Sequence, residues 1–170
     1  MKFITKAAIL FVMAFSVNLA TAQDKKPASP PAEAKGTING ANITIKYSSP
    51  FVKGRTIWGE LVPYGQVWRA GANDATTFET SKAIKVEGKD LAAGTYAFFV
   101  IPEKDGTATL IFNIEAKQWG GYKYDVAKDA LRVTVKTKKA KAPVESLVYK
   151  VGKKEVILAW ENLEIPFAVK

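Results

Sequence analysis

The chain has 170 residues with 25 Lys and Arg against 16 Asp and Glu, a net charge of +9, and neither His nor Cys. Those two absences exclude Ser-His-Asp and Cys-His nucleophilic sites, disulfides, and the ordinary zinc, copper and haem centres built on imidazole or thiolate. Both Met residues precede position 23, so everything beyond it must work with carboxylate, amide, hydroxyl, amine and aromatic groups, and neither a metal nor a cofactor is expected.

Residues 1–22 read as a signal peptide. Lys2 and Lys6 precede an apolar run from Ala7 to Phe15, and Ala20-Thr21-Ala22 has the small-x-small pattern of a signal-peptidase site. A bilayer span needs about 20 predominantly apolar residues, more than this run supplies. Cleavage after Ala22 would leave 23 cationic residues against 16 acids, a net charge of +7. The product is expected to be soluble in the periplasm or outside the cell, with no lipid-attachment Cys and no membrane insertion. Residues 23–35, QDKKPASPPAEAK, hold three Pro and little to bury, which reads as a flexible linker.

From residue 36 to residue 170 the character is that of one all-β domain. Ile43, Ile45 and Tyr47 alternate with polar neighbours, as do Ile84 and Val86, then Leu131, Val133 and Val135, and finally Ile165, Phe167 and Val169. Such period-two patterns are half-buried strands. Tyr96 to Ile101, Ala108 to Phe112 and Val156 to Trp160 are continuous apolar runs, as expected of strands covered on both faces. Asn39-Gly40 and Asp105-Gly106 are hairpin turns by chemistry, with Gly88-Lys89 and Gly152-Lys153 as weaker versions. The expectation is an antiparallel β-sandwich of about nine or ten strands, jelly-roll-like in connectivity, with a short helical stretch near Asp125 to Ala130 the one exception.

The excess charge is nearly all Lys, scattered over strand faces and turns (Lys82, Lys85, Lys89, Lys104, Lys117, Lys123). A denser group, Lys136, Lys138, Lys139 and Lys141, sits where a strand runs into a loop and reads as a solvated edge that resists sheet-to-sheet association. No nucleic-acid partner is inferred from this pattern.

The segment from Tyr47 to Asn73 departs from periodicity. It holds Trp58 and Trp68, two of the four Trp, and Arg55 and Arg69, two of the three Arg. Irregular aromatic connections on a rigid scaffold are where binding commonly sits. Arg offers a planar fork suited to carboxylate or phosphate, unlike the surrounding Lys. The competing readings are internal: interleaved Ile57, Leu61, Val62 and Val67 make the rings candidates for core, and Arg69–Glu79 or Arg55–Glu60 pairs would tie the loop down. Trp58 and Leu61 are expected to support the core, leaving Arg55, Tyr64, Trp68, Arg69 and Asn73 as the binding face. Glu60, Asp74 and Glu79 are the carboxylates from which a hydrolytic pair could be drawn.

The motifs Tyr47-Ser48-Ser49-Pro50, Lys53-Gly54-Arg55, Ile57-Trp58-Gly59, Leu61-Val62-Pro63-Tyr64-Gly65, Val67-Trp68-Arg69 and Gly71-Ala72-Asn73 resemble the signature of a secreted bacterial family known as a domain of unknown function, number 2911. The likeness continues through Leu91-Ala92-Ala93-Gly94-Thr95-Tyr96, Ile101-Pro102, Ile111-Phe112-Asn113, Gln118-Trp119-Gly120 with Tyr122, and Leu131-Arg132-Val133. Ala92 and Ala70 stand where relatives often have Pro and Thr. The resemblance implies no activity, but it groups Asn113, Gln118, Trp119 and Tyr122 with the opening segment as one concave site. A non-enzymatic binding module for a carbohydrate or small anionic ligand is the leading expectation, with no catalytic residue assigned. A structural or assembly protein of the envelope and a carboxylate-based polysaccharide hydrolase or lyase are the alternatives.

Overall fold

The computed structural model describes residues 28–170, and the expected signal peptide and its cleavage point lie outside them. Ten strands follow one another: β1 (Pro31–Ile38), β2 (Ala41–Ser48), β3 (Thr76–Thr80), β4 (Ile84–Val86), β5 (Lys89–Leu91), β6 (Gly94–Pro102), β7 (Thr107–Asn113), β8 (Asp129–Lys136), β9 (Lys138–Val151) and β10 (Glu155–Ala168). The one helical element among the described residues is a single 3₁₀ turn, Val126–Lys128, capped by the Asp125 side chain, which accepts from the Ala127 N–H. The helical stretch expected near Asp125 to Ala130 is therefore one turn.

The fold is an all-β, antiparallel, sandwich-like arrangement. One layer is a six-stranded sheet in the order β1-β2-β3-β6-β7-β8; the other is formed by the long β9–β10 ribbon and the β4–β5 hairpin. A bridge between Val86 and Val169 joins the hairpin to the end of β10, and one between Phe51 and Ser146 joins the segment after β2 to β9. Neighbours in the large sheet follow chain order except at the step from β3 to β6, a meander rather than the crossings of a jelly roll, with short turns joining β1 to β2 and β6 to β7 and long connections joining β2 to β3 and β7 to β8. Asn39 and Gly40 both have positive φ, as do Glu87 and Gly88, the geometry that joins adjacent antiparallel strands in two residues.

β1 begins at Pro31, inside the stretch read as linker, and pairs with β2 from Pro31↔Ser48 to Ile38↔Ala41. Its inward positions are Ala32, Ala34 and Gly36, too small to register as a hydrophobic pattern, but each is half-buried. Pro at the first residue of an edge strand costs no ladder bond. The boundary expected at residue 36 therefore falls inside β1, and residues 23–27 of the expected linker lie outside the described residues.

The core lies between the layers. Phe78, Phe98, Phe112 and Phe167 meet with ring centroids 5.1–6.4 Å apart, drawn from β3, β6, β7 and β10. The apolar runs in β6 and β7 have a second destination on the outer face of the large sheet. There Ala97, Phe99 and Ile111 form a smaller cluster with Ala75, packed by Val67 and Tyr124. The connections β2–β3 and β7–β8 supply those covering residues, and this sets the position of the candidate site.

Candidate functional site

The β2–β3 connection lies along β6. Trp68 and Val100 exchange N–H···O bonds of 2.9 Å, so the chain at Val67–Arg69 behaves as a short extra strand. It then bends sharply: Ala70 takes φ 53° and Asn73 φ 59°, the left-handed region that is costly for a side chain with a Cβ. The Ala70 carbonyl is held by two hydroxyl donors, Tyr149 Oη at 2.7 Å and Thr76 Oγ1 at 2.9 Å. Burial pushes the Tyr149 phenol well above its ordinary value, which keeps it protonated and able to donate. Gly71 is required by close approach, since a Cβ there would stand 2.8 Å from Thr76 Oγ1 and 3.1 Å from the Ser48 carbonyl.

This strap forms one wall of a cleft of about 300 Å³ lined by Arg55, Leu61, Trp68, Arg69, Asn73 and Trp160, among others. Its floor is aromatic: the Trp68 and Trp160 rings stack at 5.8 Å and 16°, and Trp58 meets both edge-on, at 5.7 and 6.2 Å. Trp160 sits at a bulge in β10, where the register shifts between Ala159 and Glu161 and Glu161 has φ 54°.

Neither arginine pairs with a carboxylate among the described residues. The internal pairs Arg69–Glu79 and Arg55–Glu60 do not form. Arg55 instead donates Nε to the Val52 carbonyl at 3.0 Å and Nη2 to that of Phe51, which fixes the guanidinium without neutralising it. Arg69 is half-buried, and its Nε is one of three buried side-chain atoms without a hydrogen-bond partner among the described residues; the others are Trp160 Nε1 and Gln118 Oε1. Two of the three are N–H donors on residues that line this cleft. Buried donors of that kind call for an acceptor.

The β7–β8 connection meets the strap on its other side. Asp74 and Trp119 form an antiparallel bridge, and the Ala75 N–H donates to the Gln118 carbonyl at 3.0 Å. Asn113 organises this connection. Its Nδ2 donates to the Asp125 carbonyl and to Asp129 Oδ1, both at 2.9 Å, while its Oδ1 accepts from the Glu115 N–H and from Gln118 Nε2, both at 3.1 Å. Tyr124 donates to Asp129 Oδ2 at 2.5 Å, and burial followed by that hydrogen bond pushes its phenol up to about 12.

Of the nine residues expected in the site, Arg55, Trp68, Arg69 and Asn73 line the cleft together. Trp68 is only 9% exposed and contributes floor rather than a free stacking face, with Trp160 stacked on it and Trp58 perpendicular beside it. Tyr64 is elsewhere: its ring packs on Gly59, where a Cβ would meet it at 2.8 Å, and it lines a hollow with Glu103 and Asp105. Asn113 is fully buried with its bonding capacity spent, and Gln118 is buried beside it. Trp119 and Tyr122 are 62% and 85% exposed, so the two segments meet but frame two concavities rather than one. Leu61, expected in the core, is 46% exposed at the rim, while Trp58 is half-buried against the core. Trp160 was missed because it closes an apolar run that reads as pure core. Glu60, Asp74 and Glu79 are all exposed and none lines the cleft. Among the described residues no three His, Cys, Asp or Glu gather as a metal ion would need, and no helix is long and apolar enough to cross a membrane.

No curated protein and no solved structure matches the chain. A family model described as a protein of unknown function, DUF2911, matches residues 29–169, which takes in every strand and both connections that build the cleft. The chain belongs to the DUF2911 family.

Proposed function

We propose that this protein is a non-enzymatic binding module whose cleft between Arg55 and Arg69 takes a small organic anion, a carboxylate or phosphate attached to a compact apolar or ring-shaped body. The observation that carries this reading is that one cleft presents two guanidinium groups, Arg55 and Arg69, with no carboxylate partner among the described residues. An oxyanion supplies the missing counter-charge, and a guanidinium fork binds it in bidentate fashion. The Trp68 and Trp160 edges give the remainder of the ligand an apolar floor. A volume of about 300 Å³ suits a small molecule, not a polymer.

The same reading carries export, with cleavage after Ala22 and function outside the cytoplasm, supported by the composition of residues 1–22. N-terminal sequencing of the protein recovered from the periplasm or medium should begin at Gln23; a start at Met1 would sink that part.

The binding test is calorimetric titration at low salt with inorganic phosphate, a sugar phosphate, glucuronate and glucose. The anions should bind and glucose should not, with affinity falling as salt rises. Arg69→Gln should weaken the anions at least about tenfold, equivalent to about 1.4 kcal/mol, and Arg69→Lys should restore little because the fork is lost. Equal binding of glucose, or unchanged anion binding in both Arg55→Gln and Arg69→Gln, would overturn the reading.

A further inference from the structure

The outer face of the large sheet carries a second concavity that the arginine cleft does not use. Three hollows of about 330, 260 and 450 Å³ follow one another there. The first and second share Lys46; the second and third share Asp74 and Thr77. They therefore form one groove crossing the strands. The register shows why it is open: Glu33, Lys46 and Thr77 stand side by side on β1, β2 and β3, and the next position in that row, on β6, is Ala97. Thr77 is short and only half-buried, which leaves the sheet open as far as Ala97, itself buried in the outer-face cluster, and at that end the β7–β8 connection rises as a wall carrying Lys117 and Trp119.

Three features of this groove need a partner. The Trp119 indole is 62% exposed, yet its backbone is held rigidly by the bridge to Asp74 and the Ala75–Gln118 hydrogen bond. A large ring fixed in that way offers a flat apolar face at little further cost in entropy. Lys46 and Lys117 are exposed cations with no carboxylate partner among the described residues, for Glu33, opposite Lys46, is engaged by Lys35 at 2.7 Å. Asp74 and Thr77 add an acceptor and a hydroxyl between the two lysines.

We propose that this groove is a binding site for an acidic glycan chain. The C–H face of a pyranose stacks on Trp119, Lys46 and Lys117 meet uronate carboxylates along the chain, and Asp74 and Thr77 bond ring hydroxyls. Neighbouring strands lie about 4.8 Å apart, close to the length of one sugar unit, so a chain lying across β1, β2 and β3 meets a new strand with each residue. The groove adjoins the arginine cleft at Asn73–Asp74 but shares no lining residue with it, so the two sites can be tested separately.

The test follows Trp fluorescence and calorimetry of the processed protein titrated with a linear uronic-acid hexamer, the corresponding monomer, a neutral glucose hexamer and a linear polyphosphate of similar charge. The uronate hexamer should bind at least tenfold more tightly than the monomer or the neutral hexamer. Trp119→Ala should remove that gain, and the double variant Lys46→Gln, Lys117→Gln should reduce it severalfold and flatten its salt dependence. Each variant should keep the melting temperature of the parent, because the changed side chains are exposed. Arg69→Gln should leave the gain intact even where it abolishes binding of small anions. Equal affinity for monomer and hexamer, an unaltered hexamer affinity in Trp119→Ala, or polyphosphate binding as well as the uronate hexamer would each overturn the proposal. Loss of hexamer binding in Arg69→Gln alone would move the ligand to the arginine cleft and overturn it as well.

Discussion

Ala70 and Gly71 show how few atoms set the shape of the cleft. Ala70 holds a left-handed conformation that costs about 1–2 kcal/mol for a residue with a Cβ, and the hydroxyls of Tyr149 and Thr76 lock its carbonyl. Tyr149→Phe should cost about 1 kcal/mol of stability in urea unfolding, the net worth of one buried hydrogen bond. It should also weaken small-anion binding, because the strap that places Arg69 is freer; unchanged affinity would show that Thr76 holds the strap alone. Gly71→Ala places a methyl against Thr76 Oγ1 and the Ser48 backbone, and neither has room to retreat. A loss of about 1–3 kcal/mol, typical of overpacking, is expected. The aromatic and arginine content of this segment was legible in the sequence, whereas the exchange of places between Leu61 at the rim and Trp68 in the floor was not. Adjacent apolar residues in an irregular loop have no period to say which one turns inward.

At the level of elements, β1 and β10 carry the lesson. β1 fits against β9 because Gly36 has no side chain: a Cβ there would stand 2.5 Å from Val151 Cγ1. Gly36→Ala should therefore destabilise the protein by about 1–3 kcal/mol, and in a Val151→Gly background, which removes both Cγ1 and the Cβ that would stand 2.8 Å away, the added cost of Gly36→Ala should largely vanish, a coupling that a double-mutant cycle reads directly. Additive losses would place the strain elsewhere. Because its inward positions are small, β1 was hidden in a Pro- and Ala-rich stretch, while β2, β8 and the end of β10 announced themselves by alternating large residues. In β10 the bulge at Trp160 brings a ring that is 1% exposed under the cleft. Trp160→Ala should cost about 3–5 kcal/mol, seen as a large drop in the urea midpoint, since it removes the stacking partner of Trp68 and the support of Trp58.

For the whole molecule, stability without disulfides rests on two apolar clusters and a set of buried hydroxyls, and the hydroxyls give it an alkaline limit. The folded Tyr124 phenol is raised to about 12 from an ordinary value of 10.0, and Tyr149 is raised as well. Below pH 10 both phenols are protonated, folded or unfolded, and their contribution is complete. As pH rises past 10 the unfolded chain loses those protons first, so stability falls through the window from about 10 to 12. Melting temperatures should drop steeply there, and Tyr124→Phe should shallow the drop while lowering stability at neutral pH through loss of the bond to Asp129. A parallel decline in parent and variant would assign the alkaline limit to other groups.

What the sequence determined by itself was the class of fold, the strands with large alternating side chains, the two-face burial of β6 and β7, and the chemistry left available once His and Cys are absent. These follow from local rules of period, turn geometry and side-chain inventory. The tertiary structure decided which loop residues face one another: that Arg55 and Arg69 share a cleft without a carboxylate, that Asn113 spends all its hydrogen bonds internally, that Tyr64 folds back on Gly59, and that Trp160 joins the floor from 90 residues or more downstream of Trp68. Such meetings depend on sheet register and on the path of long connections over the outer face, and no pattern within a single segment encodes them.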